Sequence, residues 1–136
     1  SEVVAALEGL RASGLKLGLV SNCSIEEVSA WDDSPLARFF DSVVFSCRVG
    51  VAKPAPEIYQ RVLDDLGTGP SRVAFVGDGG SDELAGAAAV GMSAYRALWF
   101  LKRWPWEKRD RRAEHRQEFP GLESPSDLLT VFGPRS

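Results

Sequence analysis

The sequence has 136 residues, 44% of them hydrophobic and 26% charged, with a formal net charge of −3. That length suits one modest domain with its own core, and the slight acidity supplies no global field to recruit nucleic acid or an anionic membrane. No apolar run approaches the roughly 18 residues of a membrane span, no basic-then-apolar leader is visible, and two cysteines, Cys23 and Cys47, are too few for a disulfide framework, so a reducing, cytoplasmic setting is expected.

Glu2 to Ala12 reads as a helix, because Val3, Leu7 and Leu10 share a face with Val4 beside them; Ser13-Gly14 ends it. Leu15 to Val20 is apolar except for Lys16 and reads as a strand, with Ser21-Asn22-Cys23 as the turn at its carboxyl end. Ser24-Ile25-Glu26-Glu27 has capping-box spacing, which starts a short helix running to about Trp31. Ser34-Pro35 can begin another, with proline at its first position and Phe39-Phe40 turned inward. Val43-Val44-Phe45 is a second short strand, and Arg48 to Ala52 the loop after it.

A residue that precedes proline prefers extended backbone, so Lys53-Pro54-Ala55-Pro56 begins no helix before Pro56. From there Tyr59, Val62, Leu63 and Leu66 recur at helical spacing until Gly67 and Gly69-Pro70. Val73 to Val76 reads as a buried strand and Gly77-Asp78-Gly79-Gly80 as a turn carrying one acid. A helix is expected to open at Ser81 as its N-cap, with Asp82 and Glu83 in the first turn and Gly91 as its stop. Met92 to Leu98 is the last strand. Strands alternating with helices call for a parallel sheet covered on its faces: an α/β chain, a Rossmann-like three-layer α/β/α sandwich, with residues 1–136 as a single domain.

The segment 99–136 has a different character. Trp99, Trp104 and Trp106 lie among Lys102, Arg103, Lys108, Arg109, Arg111, Arg112 and Arg116. Basic residues interleaved with aromatics can bind single-stranded nucleic acid. Glu107, Asp110 and Glu114 interrupt that charge, so a solvated helix anchored on its own domain, with no nucleic-acid partner, is the expectation. Pro120 to Ser126 reads as a loop and Asp127 to Phe132 as a short closing helix. His115, the single histidine, belongs to a charged surface, and Cys23 and Cys47, each just past a strand, are expected as free thiols.

In an open α/β sheet, ligands bind beyond the carboxyl ends of the strands. Asp78 would stand at such an end, with Asp82 and Glu83 facing it from the next helix. Carboxylates crowded together repel unless a positive group sits among them, and Mg²⁺ suits one or two carboxylates plus water and phosphate oxygens. The plainer reading is that Asp82 and Glu83 favour a helix N-terminus. The residues alone leave both open.

Three stretches, in this order, resemble the second, third and fourth motifs of the haloacid dehalogenase-like (HAD) hydrolase superfamily: Leu17-Gly18-Leu19-Val20-Ser21-Asn22, then Gly50-Val51-Ala52-Lys53-Pro54-Ala55-Pro56-Glu57-Ile58-Tyr59, then Val73 through Met92. The resemblance implies a Mg²⁺-dependent hydrolase, most often a phosphatase acting on a small phosphorylated metabolite through an aspartyl-phosphate. It implies that Ser21, with Asn22 beside it, hydrogen-bonds the transferring phosphoryl group, that Lys53 neutralises charge, and that Asp78 ligates Mg²⁺. The fourth motif's second acid falls at Glu83 or Asp82, and the run Leu84 to Ala87 aligns better with Glu83. Phosphoryl transfer needs positioning and charge stabilisation, which these residue types supply. Taken singly, each has an ordinary reading as a turn serine or a surface lysine.

The family's first motif, Asp-x-Asp, occurs nowhere in this sequence. By the resemblance the chain is therefore the carboxyl-terminal part of a longer enzyme or a truncated product, lacking nucleophile, acid/base and cap, inactive alone and weak in binding Mg²⁺. The family's first strand would lie between the strand ending at Ser21 and the one ending at Asp78. Unpaired backbone groups cost about 1–3 kcal/mol each against a total stability of about 5–15 kcal/mol. The two edges are thus expected to pair directly, to take a strand from another copy, or to be filled by an amino-terminal segment. A signalling receiver domain would place its acids before Lys-Pro, the reverse of this order. A dinucleotide-binding turn would need Gly-x-Gly-x-x-Gly, and Asp78 would repel a pyrophosphate. The remaining alternative is a degenerate HAD-like domain kept as a binding module.

Overall fold

The structure is a computed structural model that describes residues 2–99 and 119–133. The basic part of the Trp-rich segment, with Trp104, Trp106, Arg109 and His115, lies outside the described residues. No helix among those described is long and apolar enough to cross a membrane.

Helix α1 (Glu2–Ala12) buries Ala6, Leu7 and Leu10. Strand β1 (Gly18–Ser21) starts later than the apolar run beginning at Leu15. The cause is local: the Leu17 N–H donates to the Asp41 carboxylate at 2.8 Å and its carbonyl accepts from the Asp41 N–H at 2.7 Å. Leu17 is thereby committed to the loop before the ladder begins. Helix α2 (Ile25–Trp31) is capped as the sequence suggests, the Ser24 hydroxyl accepting from the Glu27 N–H. Pro35 leads only into a 3-10 turn at Ala37–Phe39, which buries Phe39. Strand β2 (Ser42–Phe45) runs parallel to β1, with Gly18 opposite Ser42 and Ser21 opposite Phe45.

The expected loop after β2 contains a one-turn helix, α3 (Ser46–Val49), closed by Gly50 at φ 79°. One turn carries no periodicity to read. Helix α4 (Pro56–Leu66) buries Ile58, Tyr59, Val62, Leu63 and Leu66 and ends at Gly67 in the left-handed region. Strand β3 (Ala74–Gly77) follows.

Helix α5 (Glu83–Ala89) does not open at Ser81. Ser81 and Asp82 are left-handed, at φ 58° and 53°, in a 3-10 turn over Gly80–Asp82. The turn ahead of α5 is already curled, because the Gly80 N–H donates to Asp78 Oδ1 and the Gly79 N–H to Glu83 Oε2, both at 2.9 Å. Ser81 has no extended backbone from which to cap. Strand β4 (Ser93–Ala97) pairs parallel with β3, and a two-residue β5 (Gly121–Leu122), in the expected loop, pairs parallel with β4. Helix α6 (Asp127–Phe132) closes the chain, with Leu129 against Gly9 of α1 and Phe132 edge-on to Tyr95 at 5.1 Å.

The α/β architecture with parallel strands is as expected, but the single sheet is not. Among the described residues the strands form two sheets, β1-β2 and β3-β4-β5. β1 and β3 each have a ladder on one side only and do not pair with each other, so direct pairing of the two edges is not the arrangement adopted. A helical layer spans both sheets: α4 packs on β1 and β2, α5 on β3 and β4, and the two helices touch. Their shared core runs through Val44, Ile58, Tyr59, Leu63, Leu84, Met92 and Ala94.

Candidate active site

Ser21 ends β1, Lys53 lies in the loop before α4, and Asp78 directly follows β3. These are carboxyl ends of parallel strands and the loops beyond them, where open α/β sheets bind ligands. The geometry centres on Lys53. Its Nζ lies 2.6 Å from Glu83 Oε1, with the two side chains only 12% and 6% exposed. The other oxygen of that carboxylate accepts the Gly79 N–H. Glu83 thus ties the lysine loop to the turn bearing Asp78. A Cβ at Gly77 would collide with the Glu83 carboxylate, so a side chain there would displace Glu83 from its place against Lys53.

The two acids of the fourth motif are separated by the left-handed turn. Glu83 is buried and faces Lys53, while Asp82 is exposed and makes no side-chain capping bond. Asp78 Oδ1 is held by the Gly80 N–H. The Asn22 side chain, next to Ser21, bonds the lysine loop: its Nδ2 donates to the Lys53 carbonyl at 3.1 Å and its Oδ1 accepts the Lys53 N–H at 2.9 Å. The amide is a two-way clamp that brings the loop after β1 to the lysine.

Two contributors escaped the sequence reading. Arg96 is 4% exposed, and its Nη1 donates to the Asp78 carbonyl at 3.2 Å beneath Gly79, where a Cβ would collide with the Arg96 guanidinium. A lone arginine in an apolar strand was the available signal, since buried charge demands partners. Tyr59, fully buried, donates its hydroxyl to the Glu83 carbonyl at 2.8 Å. Burial first, and the Glu83 charge second, push the Tyr59 hydroxyl up to about 12.

No group of three or more His, Cys, Asp or Glu side chains that could hold a metal ion occurs among the described residues. Each Glu83 carboxylate oxygen has one protein partner, Lys53 Nζ on Oε1 and the Gly79 N–H on Oε2. Asp78 is the fourth-motif carboxylate that stands at the strand end, directly after β3.

A strand-end hydroxyl, a buried Lys–Glu pair and an acid-bearing turn thus lie at the carboxyl side of parallel strands in an α/β fold. The chain belongs to the haloacid dehalogenase-like hydrolase family, whose model matches residues 1–91. It is 29% identical over 131 residues to a glyceraldehyde 3-phosphate phosphatase of Methanopyrus kandleri, covering 96% of this chain and 54% of that one. It is 37% identical over 100 residues to a phosphoglycolate phosphatase of Aquifex aeolicus, covering 72% of this chain and 46% of the relative. The crystal structure of a HAD phosphatase from Thermococcus onnurineus superposes with a TM-score of 0.77 at 26% identity, over 98% of this chain and 58% of that one. The chain spans about half the length of these curated relatives.

Proposed function

We propose that this chain forms the phosphate-holding side of a phosphatase active site, completed by an aspartate on an amino-terminal segment. The observation that carries the reading is the buried Lys53–Glu83 pair at 2.6 Å, set beside the Asp78 turn. A cation fixed in that position faces an incoming phosphate dianion with no reorganisation needed, which is the main requirement of phosphoryl transfer. Ser21 donates its hydroxyl to a phosphoryl oxygen. Asn22 acts on the substrate through the Lys53 backbone it clamps. The substrate is a small phosphorylated metabolite, hydrolysed to an alcohol and inorganic phosphate through an aspartyl-phosphate. The absence of any Asp-x-Asp in the sequence supports placing the nucleophile outside this chain. The one-sided ladders of β1 and β3 support a strand of that segment lying between them. Both free thiols support a reducing, cytoplasmic setting.

Mg²⁺ is the expected cofactor of the completed site, where it would offset phosphate charge, and Asp78 is this chain's ligand to it. Calorimetric titration of the chain alone should show no Mg²⁺ binding in the range of about 1 μM or tighter; tight binding would mean that the metal site is already whole. The test of function is hydrolysis of a generic phosphomonoester with Mg²⁺, before and after supplying an amino-terminal segment bearing Asp-x-Asp. Turnover should appear only on complementation, and Lys53→Ala should lower it by about 10²–10³-fold. Turnover by the chain alone, abolished by Asp78→Asn, would overturn the reading.

A further inference from the structure

Cys23 follows β1, and Cys47 lies in α3 immediately after β2. The register that sets Ser21 opposite Phe45 brings the two thiols to the same end of the β1-β2 pair. Their sulfurs stand 3.9 Å apart, and both are free. The Cys23 N–H donates to the Ser46 hydroxyl at 3.1 Å, which fixes the first loop against the residue preceding Cys47. Cys47 is exposed and Cys23 half-buried. A disulfide bond is about 2.05 Å long, and an exposed cysteine side chain can turn between staggered rotamers to move its sulfur.

We propose that Cys23 and Cys47 are a dithiol pair that a low-molecular-weight disulfide of the glutathione type converts to an intramolecular disulfide. Exposure makes Cys47 the entering thiol. It loses its proton, and its thiolate attacks one sulfur of the small disulfide, breaking that S–S bond and releasing one small thiolate, which takes up a proton. Cys23, deprotonating in its turn, attacks the Cys47 sulfur of the mixed disulfide. The Cys23–Cys47 bond forms and the second small thiol leaves. Two protein thiols give up two electrons, and one small disulfide is reduced to two thiols. Burial first, and then the Cys47 hydrogen bond, push the Cys23 thiol above its ordinary value, in keeping with its place as the second, resolving sulfur. Ser21 is the last residue of β1, two residues before Cys23. The pair therefore adjoins the hydroxyl assigned to phosphate, although its chemistry does not depend on that assignment.

The test uses the full chain, reduced, desalted and incubated with glutathione disulfide, then read by intact mass and peptide mapping. The expected product is a monomer lighter by two hydrogens with Cys23 and Cys47 cross-linked, restored by dithiothreitol. In Cys23→Ser the reaction should halt at a glutathione adduct on Cys47. A wild-type chain that ends as stable glutathione adducts, as intermolecular dimers or as unreacted thiol overturns the proposal. The wild-type arm needs no variant to fold and no enzymatic turnover, so its failure and a failure of the phosphatase reading are separately visible.

Discussion

Lys53 and Glu83 form an ion pair in a nearly dry corner, and the burial of both charges governs what substitution does. Lys53→Met removes one charge and leaves the other buried, which should cost about 3–5 kcal/mol in a denaturant titration; adding Glu83→Gln should recover part of that loss. Tyr59→Phe removes the bond to the Glu83 carbonyl. That carbonyl is also placed to serve the helical ladder of α5, so the cost should sit near the low end of the range, about 1 kcal/mol. The same substitution has a pH signature. The folded state holds the tyrosine protonated to about 12, against an ordinary value of 10.0. The wild-type advantage is therefore complete below 10 and fades as pH climbs from there towards 12, while Tyr59→Phe shows no such fade. Equilibrium denaturation across that alkaline range checks both size and sign. At this scale the sequence exposed the charges but not their partners. Lys53 and the pair of acids stood out, yet choosing between Asp82 and Glu83 depends on two consecutive left-handed residues, for which no glycine gave warning.

Helices with an apolar stripe were readable to their ends: α1 and α4 begin and stop where periodicity and their Gly or Pro signals placed them. Elements of one turn or two residues, α3 and β5, were not, because too few side chains exist to form a pattern. The start of α5 was misplaced because hydrogen bonds made inside the turn overrode the capping preference of Ser81. Helix propensity should mislead again within α5. Gly86→Ala in an isolated helix gains about 1 kcal/mol. Here the new methyl group would stand 2.7 Å from both Pro54 Cβ and the Tyr59 hydroxyl, and 3.0 Å from the Pro54 carbonyl. Two of these neighbours belong to the residue that follows Lys53, and overpacking costs about 1–3 kcal/mol. Gly86→Ala should therefore lower the denaturation midpoint; a rise would show that the Lys53 loop yields without cost.

For the whole molecule, the fold class was legible from the alternation of strands and helices, and the carboxyl-end position of the site followed from it. The division into two sheets was not, since periodicity reports which face of a strand is covered and is silent about which edge is paired. That division is open to hydrogen exchange. Amides of β1 and β3 that point away from β2 and β4 should exchange as solvent-facing groups do, while those inside the two ladders are protected. An added amino-terminal strand should protect the first set selectively, and equal protection before and after addition would count against a strand seating there. The helical roof has one more consequence, for how the chain tolerates inherited change. The bonds inside each sheet are main-chain bonds, which no substitution other than to proline deletes outright. The bonds between the halves are side chains: Tyr59 to the Glu83 carbonyl, Lys53 to the Glu83 carboxylate, and Tyr59 edge-on to Phe75 at 5.6 Å. Cohesion of the two halves is therefore written in replaceable letters, and a scan of all single substitutions should find its least forgiving positions in α4, α5 and the lysine loop, not in the strands they cover.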